Sequence, residues 1–526
     1  MLWIGGVSHG QISKTVAPYV LIVQPIVLQS DEGTDPASIM IPEDLVDQAY
    51  QKAGVDFRFL EPIYFNHTQA RDGLINLDSI VVLARQKKLI KGQDDLINMF
   101  FVNAVDGQKG PLGRGMMGGN LTFISLGDSL GAEDRYLQAF VIAHEVGHNL
   151  SLKHAAVDKK VPTSIPNLQG EGEFKYRVDP KYSLNPYQIR IIHQSPLIHP
   201  RVDFLDSQRG SKAILDESYE PYFSQLQIRE IEAFTQSRVP SSDLDSVRRY
   251  AKEKFADAVV NFTEDEKERI SFVLNKVHQT LIENDLHLMA DQPWRFIKIE
   301  DWLCGGFAHT RGTYIILSQR HIDHLTQNWS TSMSAEDEQQ LVEKMGKLLV
   351  HEQMHSLQRT FKSKFDVLYS DYWNFQKAQV THERQIALNQ VSNPDAPVAE
   401  WLIPHPTKAN EFFWIRTLLK ETQGIPQMGK DFVDTVFTVK EKMGVFTVEK
   451  SKKNVPITTD LDKIAFYKNA FPVSRGIDHP NEISAYLFAD YFQAILTSSK
   501  PFPQAHPNSS KNSKRFIQWI QENMNK

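Results

Sequence analysis

A chain of 526 residues is too long for one hydrophobic core, because cores stop growing at roughly 250 to 300 residues and longer chains split into domains. Hydrophobic residues at 41% and charged residues at 23% exclude a largely disordered chain. A formal charge of -6, with no run of like charge, excludes a basic nucleic-acid footprint and a polybasic membrane anchor.

The N-terminal stretch from Met1 to Val7 is apolar but lacks a basic leader, and polar Ser8, His9 and Gln11 follow, so no secretory signal is expected. The compartment stays open between cytoplasmic and secreted without a visible leader. Val20 to Val23 and Ile26 to Leu28 read as β-structure broken at Pro25, followed by a helix entered at Pro42. Val55 to Phe59 alternates as a strand, and further strands are expected at Ile80 to Leu83, Leu96 to Val102 and Leu121 to Ile124. A helix from about Asp134 to Leu150 and a short one from Tyr187 to His193 complete this half. Strands first, then a helix bearing a motif, fits an α+β arrangement with a mixed sheet.

Residues 206–250 turn polar and serine-rich and read as the junction between a domain at 1–205 and another at 251–526. The second half opens with an amphipathic helix, Thr263 to Asn284, then strands at Trp294 to Ile299 and Thr313 to Leu317. A long helix starts near Ser334, where Ser334 and Asp337 form a capping box. Cys304 is the one cysteine, so no intrachain disulfide exists, and no apolar run approaches the ~18 residues of a membrane span.

Two motifs carry chemistry. His144-Glu145-x-x-His148 lies on the first-half helix, and i,i+4 spacing puts both histidines on one face, one turn apart, where they reach one zinc ion. Glu145 beside them is placed to take a proton from metal-bound water as general base. His154, six residues past His148, fits a chain that turns back after the helix to offer a third nitrogen. His351-Glu352-x-x-His355 repeats the pair and its base, Glu352, on the second-half helix. With 18 histidines in the chain, one such motif is expected by chance about 0.04 times, so two accidents are improbable. No third histidine follows the second motif, so an acidic residue on a later helix is the expected ligand. Glu482 opens a helix at Pro480; Glu383, Glu400 and Glu411 are its rivals.

His144-Glu145-x-x-His148-x-x-x-x-x-His154 resembles the metzincin clan of zinc endopeptidases across about 18 to 200. That resemblance implies zinc ligands His144, His148 and His154, base Glu145, and an edge strand holding an extended peptide, for which Leu121 to Ser125, preceded by Gly118-Gly119, is the candidate. Asn185 to Arg190 is similar to the start of the clan's closing helix. Ser151 stands where the clan has a turn glycine, and Gln169 where it has a methionine beneath the metal. The second motif resembles the gluzincins, with Glu482-x-x-Ala485-x-x-Phe488 closest to the lethal-factor-like branch, and implies ligands His351, His355 and Glu482 with base Glu352. Tyr486 replaces an aspartate that orients a histidine in thermolysin-like enzymes, and Asp490 is a substitute one turn on.

His309 and Tyr486 are the candidates for substrate binding, Tyr369, Tyr372 and Tyr486 for stabilising an oxyanion, and Phe412-Phe413-Trp414 for core. The expectation is an α+β chain of two zincin-like domains, each a mixed sheet with an HExxH helix, holding two Zn2+ and hydrolysing peptide or protein substrates. Nucleic acid and a membrane span are not expected. The alternatives are a peptide- or partner-binding pseudopeptidase, and a toxin-like effector protease with one protein substrate. Oligomeric state and cleavage preference stay open.

Overall fold

A computed structural model of the chain describes residues 17–92, 96–105, 107, 112–125, 134–327, 329–330, 332–473, 476–497 and 510–525. The N-terminal stretch read for a leader lies outside them. The chain forms two compact units that divide between Arg201 and Val202.

The first unit is built on β1 (Tyr19–Gln29), whose residues are buried from Val20 to Leu28 as befits a strand covered on both faces. Its helix α1 is Glu43–Tyr50. Strands β2 (Val55–Phe59) and β3 (Ile63–Asn66) pair parallel with β1 end to end along one side, and β4 (Ile97–Phe101) pairs parallel along the other. Pro25 does not break β1. It falls between the last residue paired with β2 and the first paired with β3, where a missing N–H is tolerated. Residues Ile80 to Leu83 are not a strand but part of helix α2 (Leu77–Gln86), capped by the Asn76 side chain; Ile80 and Ala84 are buried and Val82 is exposed, a helical period that overrides the β-branched run.

The sheet continues through β5 (Gly113–Gly115) and β6 (Leu121–Ile124), in the order β2-β1-β4-β6-β5, with only β5 antiparallel to its neighbour. The outer strand among the described residues is therefore β5, not Leu121 to Ser125. β6 is inner and buried, and Gly118-Gly119 belongs to the turn joining the two strands. The motif helix α3 (Arg135–Asn149) starts at Asp134, whose carboxylate accepts from the N–H groups of Tyr136 and Leu137. Helix α4 (Pro186–Ile192) carries a full Asn185/Gln188 capping box, and β7 (His199–Pro200) returns antiparallel to β1.

In the second unit, β8 (Val202–Phe204) leads into the stretch expected as a junction. Residues 206–250 instead form helices α5 (Ser207–Ala213), α6 (Ile228–Thr235) and the first half of α7 (Leu244–Asp257), and they bury Tyr222, Phe223, Ile231 and Phe234 in a common core. The serines there sit at turns and solvent faces of packed helices, so polar composition misreported a linker. After β9 (Val259–Val260), helix α8 (Glu264–Glu283) lays Ile270, Val273, Val277 and Leu281 into the main core. Strands β10 (Trp294–Ile299), β11 (His309–Arg311) and β12 (Tyr314–Ser318) give a sheet ordered β11-β12-β10-β8, with β9 also on β10. Its end strand β11 is antiparallel while β12, β10 and β8 are parallel, the same scheme as in the first unit.

The second motif sits in α9 (Ala335–Thr360), which begins at Ser334 with the expected Asp337 contact. Beyond it lies a sheet the sequence reading did not anticipate. It comprises β13 (Gln376–Lys377), β14 (Val380–Thr381), β15 (Trp401–Pro404), β16 (Glu411–Leu419), β17 (Phe432–Lys442), β18 (Val445–Val448) and β19 (Thr458–Asp460). Trp414 is buried there with Leu402 and Phe437, as expected of a core residue, and Phe412 packs beside it. Helix α10 (Pro480–Thr497) then packs on α9, and α11 (Lys511–Asn523) follows. Both units are thus mixed α+β, and among the described residues no helix is long and apolar enough to cross a membrane.

Candidate metal centres

Centre 1 forms where α3 meets the chain that follows it. The Nε2 atoms of His144 and His148 lie 3.1 and 3.0 Å from Nε2 of His154. Ser151 makes that convergence possible: at φ +68° it turns the chain left-handed, with its N–H on the His148 carbonyl. His144 donates Nδ1–H to the Leu168 carbonyl and His148 donates Nδ1–H to that of Leu152, each at 2.8 Å. A carbonyl only accepts, so both rings carry their proton on Nδ1 and turn Nε2 lone pairs into the same small volume, a donor set that suits a cation. Burial lowers the His144 pKa to about 3 and also lowers that of His148, so neither ring is protonated at neutral pH.

Glu145 points toward β5. Its Oε2 accepts the Gly115 N–H at 2.6 Å, and burial lifts its pKa to about 7 against that bond and the Arg114 charge. Glycine is required at both ends of β5. A Cβ on Gly113 would stand 2.6 Å from the Glu145 side chain, and one on Gly115 would stand 2.1 Å from the Glu145 carbonyl oxygen. Asn149 fixes the strand's far end, its amide donating to the carbonyls of Met116, Gly119 and Leu121. Gln169 lies beneath the centre, where its Nε2 donates to the His144 carbonyl at 2.7 Å. Arg177 stacks 3.6 Å from the Phe140 ring centroid and donates to Leu168 O, the acceptor that holds His144.

Centre 2 is assembled from two helices. His351 and His355 of α9 bring their Nε2 atoms to 3.2 Å, and the Glu482 carboxylate of α10 stands 3.6 and 3.8 Å from them. Asn393 Nδ2 donates to the other Glu482 oxygen at 2.7 Å. Gln358 accepts the His355 Nδ1–H at 2.9 Å while its own amide donates to Asn481 O and Ser484 Oγ, which fixes both the flip of Gln358 and the tautomer of His355. That is the orienting contact sequence reasoning sought in Asp490, which is instead ion-paired with Lys347. Burial alone would lower His351, but the Glu482 and Glu352 carboxylates raise it to about 9. The same imidazoles outweigh the burial of Glu482 and hold its pKa down.

Glu352 is buried and accepts from the Thr310 hydroxyl at 2.9 Å. Asp395 takes the Thr310 N–H at 2.7 Å, and its carboxylate lies within 4.8 Å of ligand atoms on Glu352 and His355. Burial pushes both carboxyls up, Glu352 further by the Asp395 charge and Asp395 further by that of Glu482.

The rivals of Glu482 are tied up elsewhere: Glu383 with Lys450, Glu400 with Lys362 and Lys377, Glu411 with Lys408 and Lys440. Tyr369 bonds Ser484 and Tyr372 bonds Glu522, so neither phenol faces centre 2 free. Tyr486 packs its ring on His351 with centroids 4.4 Å apart. His309 is a buried strand residue of β11 with Nδ1 on the Phe307 carbonyl, not a cleft residue. Thr310, Gln358, Asn393 and Asp395 were not singled out from sequence, nor were Gly113, Gly115 and Asn149.

No family model matches this chain, and no curated protein does. Among solved structures, archaemetzincin from Methanopyrus kandleri is similar at 12% identity over 33% of this chain and 94% of that chain, with a TM-score of 0.23. A likeness of that size establishes neither family nor function.

Proposed function

We propose that the chain is a zinc-dependent metallopeptidase with two centres, one metzincin-like and one gluzincin-like, each in its own zincin-type domain. The observation that carries this reading is the convergence of His144, His148 and His154 Nε2 atoms beside a carboxylate, Glu145, that is anchored to the outer strand of the sheet. His144, His148 and His154 would hold one zinc ion and His351, His355 and Glu482 the other, each ion supplying a Lewis acid that polarises a carbonyl and acidifies water.

The rest falls to the chain's own residues. The β5 edge offers backbone groups to an extended peptide by strand addition, so a scissile bond lies along the strand that holds Glu145. Glu145 accepts the proton of the attacking water and delivers it to the leaving amine, a role suited to a carboxyl whose pKa is about 7. The Gly115 N–H restrains one oxygen and leaves the other to receive the proton. Glu352, restrained by Thr310 of β11, would take the same role in the second centre.

The test is hydrolysis of denatured casein by the parent, Glu145→Gln, Glu352→Gln and the double variant, with zinc measured by elemental analysis. Cleavage that falls in Glu145→Gln and vanishes in the double variant at unchanged zinc supports the reading. Two zinc ions per chain with four equally inert proteins refutes it.

A further inference from the structure

Centre 1 and centre 2 differ in access. His154 is exposed, whereas His351, His355, Glu352, Glu482 and Asp395 are all buried. Against centre 2 lies the segment 391–396, between the helical turn Arg384–Asn389 and β15. Two of its three polar side chains reach the centre: Asn393 bonds the Glu482 carboxylate, and Asp395 takes the Thr310 N–H and lies against Glu352 and His355.

Thr310 is the middle residue of β11, the end strand of its sheet among the described residues, and it pairs inward with Ile315 of β12. Its N–H is therefore an edge donor of the kind an added strand would use, and it adjoins the group that restrains Glu352. A carboxylate oxygen at 2.7 Å satisfies that donor as a peptide carbonyl would. The segment is fastened on several sides. Val391 N–H bonds Thr417 O at 2.9 Å, Ser392 N–H bonds the Glu230 carboxylate, and Arg359 donates to Pro394 O at 2.7 Å. Asn481, next to the ligand Glu482, holds the Asp395 carbonyl at 3.2 Å.

We infer that 391–396 is an internal plug that keeps centre 2 latent, with Asp395 standing where the backbone of an extended peptide would meet Thr310. The inference rests on the peptidase reading of centre 2. The occupant it excludes is a peptide in β conformation, and the groove opens when Asp395 and Asn393 leave together.

The experiment uses the full chain carrying His144→Ala and His148→Ala, so that zinc binds at centre 2 alone, with and without Asp395→Ala. The readouts are hydrogen–deuterium exchange at the Thr310 amide, zinc content, calorimetric binding of a peptidyl hydroxamate, and casein cleavage. Removing a charged acceptor from that amide is expected to speed its exchange and tighten hydroxamate binding, each by about tenfold or more, at unchanged zinc content. A zinc-loaded variant that binds hydroxamate no tighter than its parent overturns the inference, as does a parent that already binds it tightly. Tighter hydroxamate binding without casein cleavage leaves the plug standing and refutes the peptidase reading of this centre. Should Asp395→Ala fail to fold, Asp395→Ser, which stays polar but is too short to reach the Thr310 N–H, decides by the same criteria.

Discussion

Substituting Gly115 by alanine tests whether the outer strand holds Glu145, the proposed base of centre 1. The added Cβ would stand 2.1 Å from the Glu145 carbonyl oxygen and 3.1 Å from the His148 Cβ, where contacts under 3.0 Å essentially never occur. The obstacle is helix backbone and cannot rotate away, so β5 must retreat by about 1 Å, and overpacking of that kind costs about 1–3 kcal/mol. For a unit of this size each kcal/mol lowers the melting temperature by roughly 2–4 °C. The 2.6 Å bond from Gly115 to Glu145 stretches past hydrogen-bond range, and both the base and the bound peptide shift against the ligands. A misplacement of about 1 Å is worth on the order of a hundredfold in rate. The assay is kcat/KM on a fluorogenic peptide in a Glu352→Gln background, with zinc content measured in parallel. A Gly115→Ala protein that keeps its zinc and cleaves within about twofold of its parent refutes the role given to β5.

Three further outcomes are expected. Gln358→Ala removes the acceptor that orients His355 and should weaken zinc at centre 2 by about 10- to 100-fold in a chelator competition, leaving centre 1 unchanged. His351, raised to about 9, holds a proton at pH 7 that an ion must displace, so zinc affinity at centre 2 should rise by about tenfold per pH unit up to about pH 9. His144 and His148, lowered by burial, hold no proton at neutral pH and add no such slope at centre 1, and equal slopes in titrations at pH 6.5, 7.5 and 8.5 would disprove the assignment. Ser151→Gly relieves a left-handed residue whose penalty is about 1–2 kcal/mol, offset in part by the greater unfolded freedom of glycine, and should raise thermal stability by roughly 0.5–1 kcal/mol. A lower melting temperature for that variant would show that the turn is not strained.

The helices that carry the two motifs, and the convergence of their histidines, were legible because i,i+4 spacing brings side chains of successive turns together, His144 with His148 and His351 with His355. Glu482 was legible because Pro480 announces a helix start with the acid in its first turn. The outer strand was not, since Gly113-Arg114-Gly115 has no β-forming residue: it is a strand through its pairing with β6, and its glycines are there because larger residues would strike α3. Ile80 to Leu83 misled for the opposite reason: β-branched residues look like a strand until the Asn76 cap and the four-residue burial period are seen. Asn393 and Asp395 flank Pro394 in what reads as an ordinary turn, and no local pattern tells that this turn folds onto a centre whose histidines lie some forty residues earlier.

The two donor sets also span very different lengths of chain. Residues 144 to 154 contain all of centre 1, while centre 2 brings residue 482 back to residue 355 across the whole third sheet. Loop-closure entropy grows as 1.5 RT times the logarithm of loop length, so a tie across the longer span restricts the unfolded chain by about 2 kcal/mol more. Stripping metal should therefore lower the stability of the second unit more than that of the first, loosening the seam between α9 and α10. On the proposed reading an ion in centre 1 would be a tool, and one in centre 2 would also be a rivet.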